Sequence, residues 1–513
     1  IGLANGPDVA MFGLIIQLFL VFVISCLTIF YFFSRSNYGY WKKRGVPYEE
    51  PSFIFGNVTF LMRRSFWDVF YDLSKKYKGD YFGIFLSWKP TLILNSKELA
   101  KKVLVKDSDS FQDRYSYSGV NDDPLGSLNL FSIKSPMWSQ MRNEMSPMFT
   151  SLRLKGVTEL MNINSAELVR RIQKDYIDNK KPVDLKELFS MYTSDTVAYT
   201  VFGLRVSALQ ELTSPLWFIT RHMVKWTFWR GFEFTMIFFI PAIAELLKFK
   251  FFSKPATEYI KKLFTEVATE RQTTGKKSDS RDLVNHLLKL KANLKLPAGS
   301  DSQLADNLMM AQAAIFILGS IETSSTTLTY MLHELAYHPD EQEKLYKEVS
   351  EALKESGKDV LEYDDLLKVK YITACMHETL RKYPPVPHLD RMCNKSYQLN
   401  DKLTVEPGTP VFVNVISIHY NDEWYPEPEQ WRPERFIHST DSDNHDFTFL
   451  PFGEGPRFCI GKRYGMMQIR TAIAQMIMKY KFAPDGPKHL ETDPYSVILG
   501  PKNGGKVKFI PRT

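Results

Sequence analysis

The chain has 513 residues, 44% hydrophobic and 24% charged, with a formal net charge of +7. That is a globular composition. No nucleic-acid motif and no basic run interleaved with aromatics occurs, which argues against a nucleic-acid partner. The positive charge leaves three readings open: an ordinary basic surface, an anionic membrane face, or an acidic protein partner. The four cysteines, Cys26, Cys375, Cys393 and Cys459, form no CxxC and fit neither a zinc site nor a disulfide framework. Such usage points to a reducing compartment. At roughly 150 residues per domain the length suggests about three domains. No Gly/Ser linker, low-complexity tract or internal repeat follows residue 50, so one large domain or two fused lobes fits better. Aromatics reach 14%, led by Phe, which suits large apolar cavities or membrane contact.

Residues 12–33, FGLIIQLFLVFVISCLTIFYFF, carry no charge. As a helix they span a hydrocarbon core of roughly 30 Å, so they are expected to be a single transmembrane anchor. The run is too long for a cleaved signal peptide, and no small-residue cleavage site follows. Arg35, Lys42, Lys43 and Arg44 follow it and only Asp8 precedes, which places the bulk of the chain on the cytosolic side. Residues 1–11 read as an N-terminal extension, with Met11 as the natural start. Residues 34–51, ending in RGVPYEEP, read as a basic, Pro-punctuated linker. Residues 52–513 form the remaining globular body.

Within that body, 81–96 alternates as two strands with a turn near Trp88-Lys89-Pro90. Trp138 and Arg142 stand at i and i+4, where an indole N–H and a guanidinium on one face could grip an anion. Helical periodicity dominates 137–385. Residues 215–253 are dense in Phe and Trp but broken by Arg, Lys and Pro. Core packing and a partly membrane-immersed substrate entrance are both open, and the second is preferred. Strand signals return at 398–415 and 492–511, so the fold is mostly α with minor β near both ends.

Residues 304–335 are nearly all apolar, so a helix there must be buried on most sides. Its middle holds Gly319, Ser320, Glu322, Thr323 and four further hydroxyl residues. Thr323 can bond the Gly319 carbonyl and open the helix into a polar notch. In HETLRKYPP, Glu378 and Arg381 share a helix face; Pro384-Pro385 then set an extended segment through Leu389. WRPERFIH supplies Arg435 in a Pro-bounded loop. PFGEGPRFCIG, 451–461, surrounds Cys459 with Gly, Pro and Arg457, an unlikely setting for a cysteine serving as core filler.

Taken together, Phe452-x-x-Gly455-x-Arg457-x-Cys459-x-Gly461, the ExxR helix, the PERF loop and the W-x-x-x-R pair resemble the cytochrome P-450 haem-thiolate signature in order and spacing. SFQDR (110–114), DDPLGSLNLFSI (122–133), MSPMFTS (145–151) and ETSSTTLTYMLHELAYHPDEQEKL (322–345) are similar to insect microsomal enzymes of family six. The resemblance implies the P450 fold for 52–513 and haem b bound through Cys459 as thiolate. It also implies haem propionates held by Trp138, Arg142, Arg391 and Arg457, with Phe452 and Gly461 beside the sulfur. Gly453, Gly455 and Gly461 would let backbone approach the flat macrocycle. Glu378, Arg381 and Arg435 would form a structural ion triad. Glu322 and Thr323 would deliver protons to bound O2. Substrate contacts carried over are Phe111, Phe131, Phe316, Ile317, Val386, Pro387, His388, Leu389 and Val497; for His388 a satisfied loop histidine is favoured over a polar tether.

The implied activity is a monooxygenase acting on apolar small molecules, either xenobiotics such as plant toxins or insecticides, or endogenous lipophiles. NADPH-cytochrome P450 reductase would feed it electrons, docking near Lys462 and Arg463, with cytochrome b5 as a second donor. The implied location is the endoplasmic reticulum membrane. The alternative is a non-catalytic haem sensor or carrier of apolar ligands; a haem-thiolate isomerase would have discarded the proton-delivery residues. Two departures stand out. Ser320 occupies a position where the family usually has glycine, and the hinge after the anchor keeps only part of the usual Pro/Gly run.

Overall fold

The computed structural model of the chain describes residues 7–52, 55–58, 64–204, 207–211, 214–273, 283–294, 296, 303–440 and 445–512. Residues 1–6 of the expected extension lie outside them.

Helix α1, Pro7–Asn37, contains the apolar run and exceeds it at both ends. The expected anchor stopped at residue 33. The helix continues because Arg35 lies in its last turn, where a cation suits the helix dipole, and donates to Tyr31 Oη at 3.0 Å. The side chains from Met11 to Phe33 are mostly exposed and apolar, as lipid contact requires.

Much of the segment read as a linker is folded. Trp41 is 1% exposed and its Nε1 donates to Ile84 O at 3.0 Å. Gly83 makes room for it, since a Cβ there would lie 2.4 Å from the indole. Tyr48 bridges to Gly83, and Phe30 packs edge-on against Trp88 with centroids 5.4 Å apart. The anchor therefore runs into the body through ordered aromatic contacts. An indole buried against a strand is worth more than solvated linker freedom.

Strands β1, Tyr81–Leu86, and β2, Lys89–Leu94, form the expected hairpin; its turn lies at Ser87-Trp88, with Ser87 left-handed (φ 56°), and Lys89 and Pro90, expected in the turn, instead pair with β1. Helices α2 (Met137–Met145), α3 (Ser151–Ile172), α4 (Leu185–Val201), α5 (Phe228–Phe239), α6 (Leu304–Tyr337) and α7 (Lys370–Lys382) follow. Then come β3 (His388–Met392), β4 (Tyr397–Asn400), β5 (Leu403–Val405), β6 (Pro410–Asn414), α8 (Lys462–Lys479), β7 (Tyr480–Pro484) and β8 (Val507–Pro511). The main sheet has the order β1-β2-β6-β3; β2 and β6 are parallel and the other pairs antiparallel. Strands β4-β5 and β7-β8 are separate antiparallel pairs. The strand signal over 492–511 yields only β8 and one bridge, Thr492 to Pro501. Pro494, Pro501, Gly504 and Gly505 interrupt the rest.

Helix α6 is the axis of the molecule. It packs on α4, α7, α8 and the short helix Pro124–Ser127, and most of its side chains are buried. The expected opening at 319–323 does not occur. Thr323 Oγ1 donates to Gly319 O at 2.7 Å, yet α6 stays one continuous α-helix of 34 residues. A carbonyl has two lone pairs, so the hydroxyl can share it with the helix without breaking a turn. The core divides into three clusters: one under the N-terminal half of α6, one among α3, α4 and α8, and one on the sheet.

Candidate functional site

Cys459 lies in the loop that enters α8, with Gly461 at the helix N-cap. Cys459 N–H donates to Phe452 O at 2.8 Å and Phe458 N–H to Gly455 O at 3.0 Å, so the loop folds back on itself. The sulfur-bearing residue is exposed, yet burial pushes the thiol up. Both hold when the sulfur faces an enclosed recess. The Gly461 N–H, Arg142, Arg114 and Lys462 oppose that push and favour thiolate.

Two of the loop glycines have a role within the polypeptide itself. Gly455 has φ +76°, and a Cβ there would meet Leu104 O at 1.8 Å. Gly453 is also left-handed (φ +67°), beside Leu389. They serve the turn and its packing on neighbouring chain. Only Gly461 borders the sulfur; a Cβ there would lie 4.0 Å from Cys459 Sγ.

Arg457 leads from this loop into a buried charge cluster. Its Nη2 donates to Asp113 Oδ1 at 2.9 Å and Ile133 O at 3.2 Å, and its Cζ lies 4.2 Å over the Trp138 ring. Its Nη1 is buried with no partner. Arg391, 3% exposed, donates to Asp390 O at 2.8 Å. Arg114 pairs with Asp390 Oδ1 at 2.8 Å, and Lys134 Nζ donates to Ser116 O at 3.1 Å. Four cations, Arg114, Lys134, Arg391 and Arg457, thus face two carboxylates, Asp113 and Asp390.

The energetics show the imbalance. Burial, with Arg114 beside it, pushes Arg457 down to about 9. Arg391 is pushed to about 9 by burial, Arg114 and Arg457, against Asp390. Burial takes Lys134 to about 8. Burial alone would raise Asp390, but Arg114, His388 and Arg391 hold it well below the usual carboxylate range. A guanidinium does not lose its proton in proteins, so these depressions measure a penalty that an incoming anion would relieve. The excess of two positive charges fits a dianion. Arg114 and Lys134 escaped the sequence reading; the buried context of SFQDR becomes visible only when Asp390 meets it from β3.

Arg142 has its Cζ 4.6 Å over the Phe458 ring, next to Cys459. On α6, Gly319 is exposed and a Cβ there would meet nothing within 4 Å. It leaves an opening on a helix whose side chains are mostly buried. Ser320 lines a small cavity with Phe149, Phe316, Thr200 and Tyr464. Glu322 is buried and pairs with Lys186 of α4 at 3.1 Å.

Glu378, Arg381 and Arg435 converge. Arg381 Nε donates to Glu378 Oε2 at 2.7 Å and its Nη2 to Oε1 at 2.8 Å; Arg435 Nε lies 3.3 Å from Oε1. His419, missed in the sequence, links them to the cysteine loop. Its Nδ1–H donates to Arg381 O at 2.9 Å, and its Nε2 accepts from Leu450 N–H at 2.8 Å. Burial and Arg381 push it down to about 3, so it stays neutral.

The expected substrate contacts scatter. Phe131 is half-buried under Arg114 (4.1 Å) and near Phe238 and Phe251. Phe316 meets Phe149 at 5.4 Å, while Ile317, Pro387 and Val497 are buried and Val386 is half-buried. Phe111 and Leu389 belong to the sheet-side core, where Phe111 is 1% exposed against Tyr397. Strand alternation sends Leu389 to the face opposite His388. His388 sits among Phe66, Phe70, Phe239 and Phe412, with centroids 4.8 to 6.3 Å away.

A model of the family described as Cytochrome P450 matches residues 46–509. The chain belongs to the cytochrome P450 family. Cytochrome P450 6k1 of Blattella germanica is 31% identical over 517 residues, covering 96% of this chain and 97% of that protein. Probable cytochrome P450 6d4 of Drosophila melanogaster is 32% identical, covering 98% and 99%. Probable cytochrome P450 6a13 of the same fly is 33% identical, covering 91% and 92%. The chain is thus a P450 monooxygenase, of a family that uses haem and O2. The residues fit that group: a lone cysteine at a helix N-terminus, a dianion-sized excess of buried cations with an unpartnered Arg457 Nη1, and an exposed glycine on α6 whose Cβ position is clear of the polypeptide.

Proposed function

We propose that this P450 is held in the endoplasmic reticulum membrane by α1 and oxidises apolar small molecules with electrons from NADPH, delivered by a reductase. Foreign compounds such as plant toxins or insecticides, and endogenous lipophiles, are the substrate class. The observation that carries this reading is an apolar surface beyond the anchor. Phe228, Trp229, Leu246 and Leu247 are 49%, 72%, 77% and 53% exposed. Aromatic and aliphatic side chains in such a group suit the bilayer interface. Behind them Phe131, Phe234, Phe238 and Phe251 make a continuous aromatic wall. An apolar ligand would pass from lipid to that wall with little desolvation cost.

Cys459 would ligate the haem iron, and Arg114, Arg142, Arg391 and Arg457, with Trp138, would hold the propionates. When bound, the haem supplies oxygen activation, assisted by electron density from the thiolate. Phe452 limits water beside the sulfur. Glu378, Arg381, Arg435 and His419 hold the cysteine loop in register. Glu322 and Thr323 supply protons. Thr323 Oγ1 uses its hydrogen on Gly319 O, so its lone pairs can accept one proton as the first is released. Arg463, exposed next to α8's start, and Lys462 are the docking cations for an acidic reductase face. Reversing both charges should slow reductase-driven turnover and spare peroxide-driven turnover.

A ferrous–CO difference spectrum tests the haem-thiolate assignment; a spectrum without the thiolate-type Soret shift ends it. Thr323→Ala then separates oxygenase from carrier. An oxygenase leaks peroxide in that variant, whereas ligand binding by a carrier is indifferent to it.

A further inference from the structure

We propose that Lys186 is the relay through which solvent protons reach Glu322. The proposal rests on the reading of Glu322 as a proton donor given above. Glu322 is 1% exposed and Lys186 contacts it from α4, with Nζ 3.1 Å from Oε1. The other carboxylate oxygen, Oε2, is buried with no hydrogen-bond partner. A carboxylate so placed is shut off from bulk solvent, from which it must regain its proton.

Lys186 supplies what is missing. Its side chain retains 18% exposure. Its Nζ is held by Ser325 Oγ at 2.7 Å, Thr326 Oγ1 at 2.9 Å and Glu322 O at 3.2 Å. Its own N–H, one of the free donors of the first helical turn, bonds Gly504 O at 2.9 Å, and Leu185 N–H bonds Gly505 O at 3.0 Å. The amine is therefore fixed against the carboxylate, on a side chain that is not fully enclosed. The charged groups facing it are Glu322 on α6 and Asp184 at the N-cap of α4. Burial lowers Lys186 below the ordinary lysine range and Glu322 opposes that shift.

The hydroxyls suit both protonation states. They accept from an ammonium, and either can turn to donate to a neutral amine. In the step itself, an Nζ–H bond breaks and the proton passes to Glu322 Oε1, leaving a neutral amine and a carboxylic acid. Glu322 gives up its proton on the Gly319–Thr323 side and returns to carboxylate. The amine then takes a proton from water. No electrons move. Monooxygenation consumes two protons as one oxygen atom leaves as water, so the path must reload within each turnover.

Lys186→Arg isolates the relay from the charge. Arginine keeps the ion pair but does not give up its proton. In the haem-loaded enzyme, Lys186→Arg and Lys186→Gln should both divert reducing equivalents into peroxide, with coupled product falling about tenfold or more. A second measurement needs no turnover. At a pH where Glu322 is protonated, its carboxyl infrared band, identified by loss in Glu322→Gln, should deuterate about tenfold more slowly in both variants when the resting enzyme meets D2O. Wild-type coupling and deuteration in Lys186→Arg would overturn the relay, because charge alone would then suffice. If Lys186→Arg fails to fold, Lys186→Gln with wild-type deuteration overturns it equally. Unchanged coupling in Glu322→Gln brings down the proton-donor reading instead, and the relay with it. The deuteration rates tell the two failures apart.

Discussion

Arg381 forks onto Glu378 through two hydrogen bonds, 2.7 and 2.8 Å, with both side chains fully buried. The guanidinium also donates to His419 O and Pro428 O, each at 2.8 Å. These bonds use four of the five N–H donors, and the side chain is fully buried. Lysine offers a point charge and cannot reproduce the fork. Arg381→Lys should therefore cost about 3–5 kcal/mol, the usual loss when one partner of a buried pair is removed. Because His419 joins this pair to Leu450, the damage should spread to the cysteine loop. Denaturant unfolding and haem content per protein should fall together.

The buried cations require an anion. In the haem-free protein, phosphate should raise the melting temperature by partly neutralising Arg114, Arg391 and Arg457. Arg391→Gln with Arg457→Gln should abolish that phosphate effect. The double variant should also lose haem faster on dilution, read as Soret decay.

Two buried histidines make the fold acid-sensitive. Burial holds His388 at about 4 and His419 at about 3, against an ordinary value of 6.5. Both are neutral when folded, so the unfolded chain binds more protons below pH 6.5. Their contribution is complete above that value. It is lost as pH falls, at about 1.4 kcal/mol per pH unit for each histidine. From about 6.5 to about 4 both act; below that, only His419. His388→Phe should reduce the slope of unfolding free energy against pH by one proton in this window.

Gly319 is free of steric demand from the polypeptide. Alanine there meets nothing within 4 Å and should stabilise the helix by roughly 0.5–1 kcal/mol. If the opening exists for a ligand, Gly319→Ala should raise the melting temperature of haem-free protein and weaken azole binding, read by optical titration.

Gly455→Ala should do the reverse. Its left-handed φ of +76° and the Leu104 carbonyl 1.8 Å from the added carbon leave no place for a methyl group. Destabilisation of about 2 kcal/mol or more is expected from strain and displacement together. Thermal unfolding of the haem-free chain checks it without reference to catalysis.

Local pattern made much of this protein legible. The apolar run of α1, the hairpin around Ser87, the length of α6 and the haem-binding family signature around Cys459 all rest on neighbours in sequence. The Thr323 bond to Gly319 was also readable, because i and i+4 are fixed by helix pitch. Its consequence was not: helix opening depends on whether the carbonyl must choose between partners, and here it shares. The company Leu389 keeps was hidden for a related reason. Which core it joins depends on which face of β3 meets which neighbour, and periodicity alone does not name the core.

What the sequence determined by itself was the family and most element types, since these rest on spacing and on side-chain identity. Tertiary structure alone decided which charges meet. Asp113 and Arg457 are 344 residues apart, Lys186 and Glu322 are 136 apart, and neither pair leaves a trace in local pattern. Charges act through space, and the fold alone sets how little water lies between them.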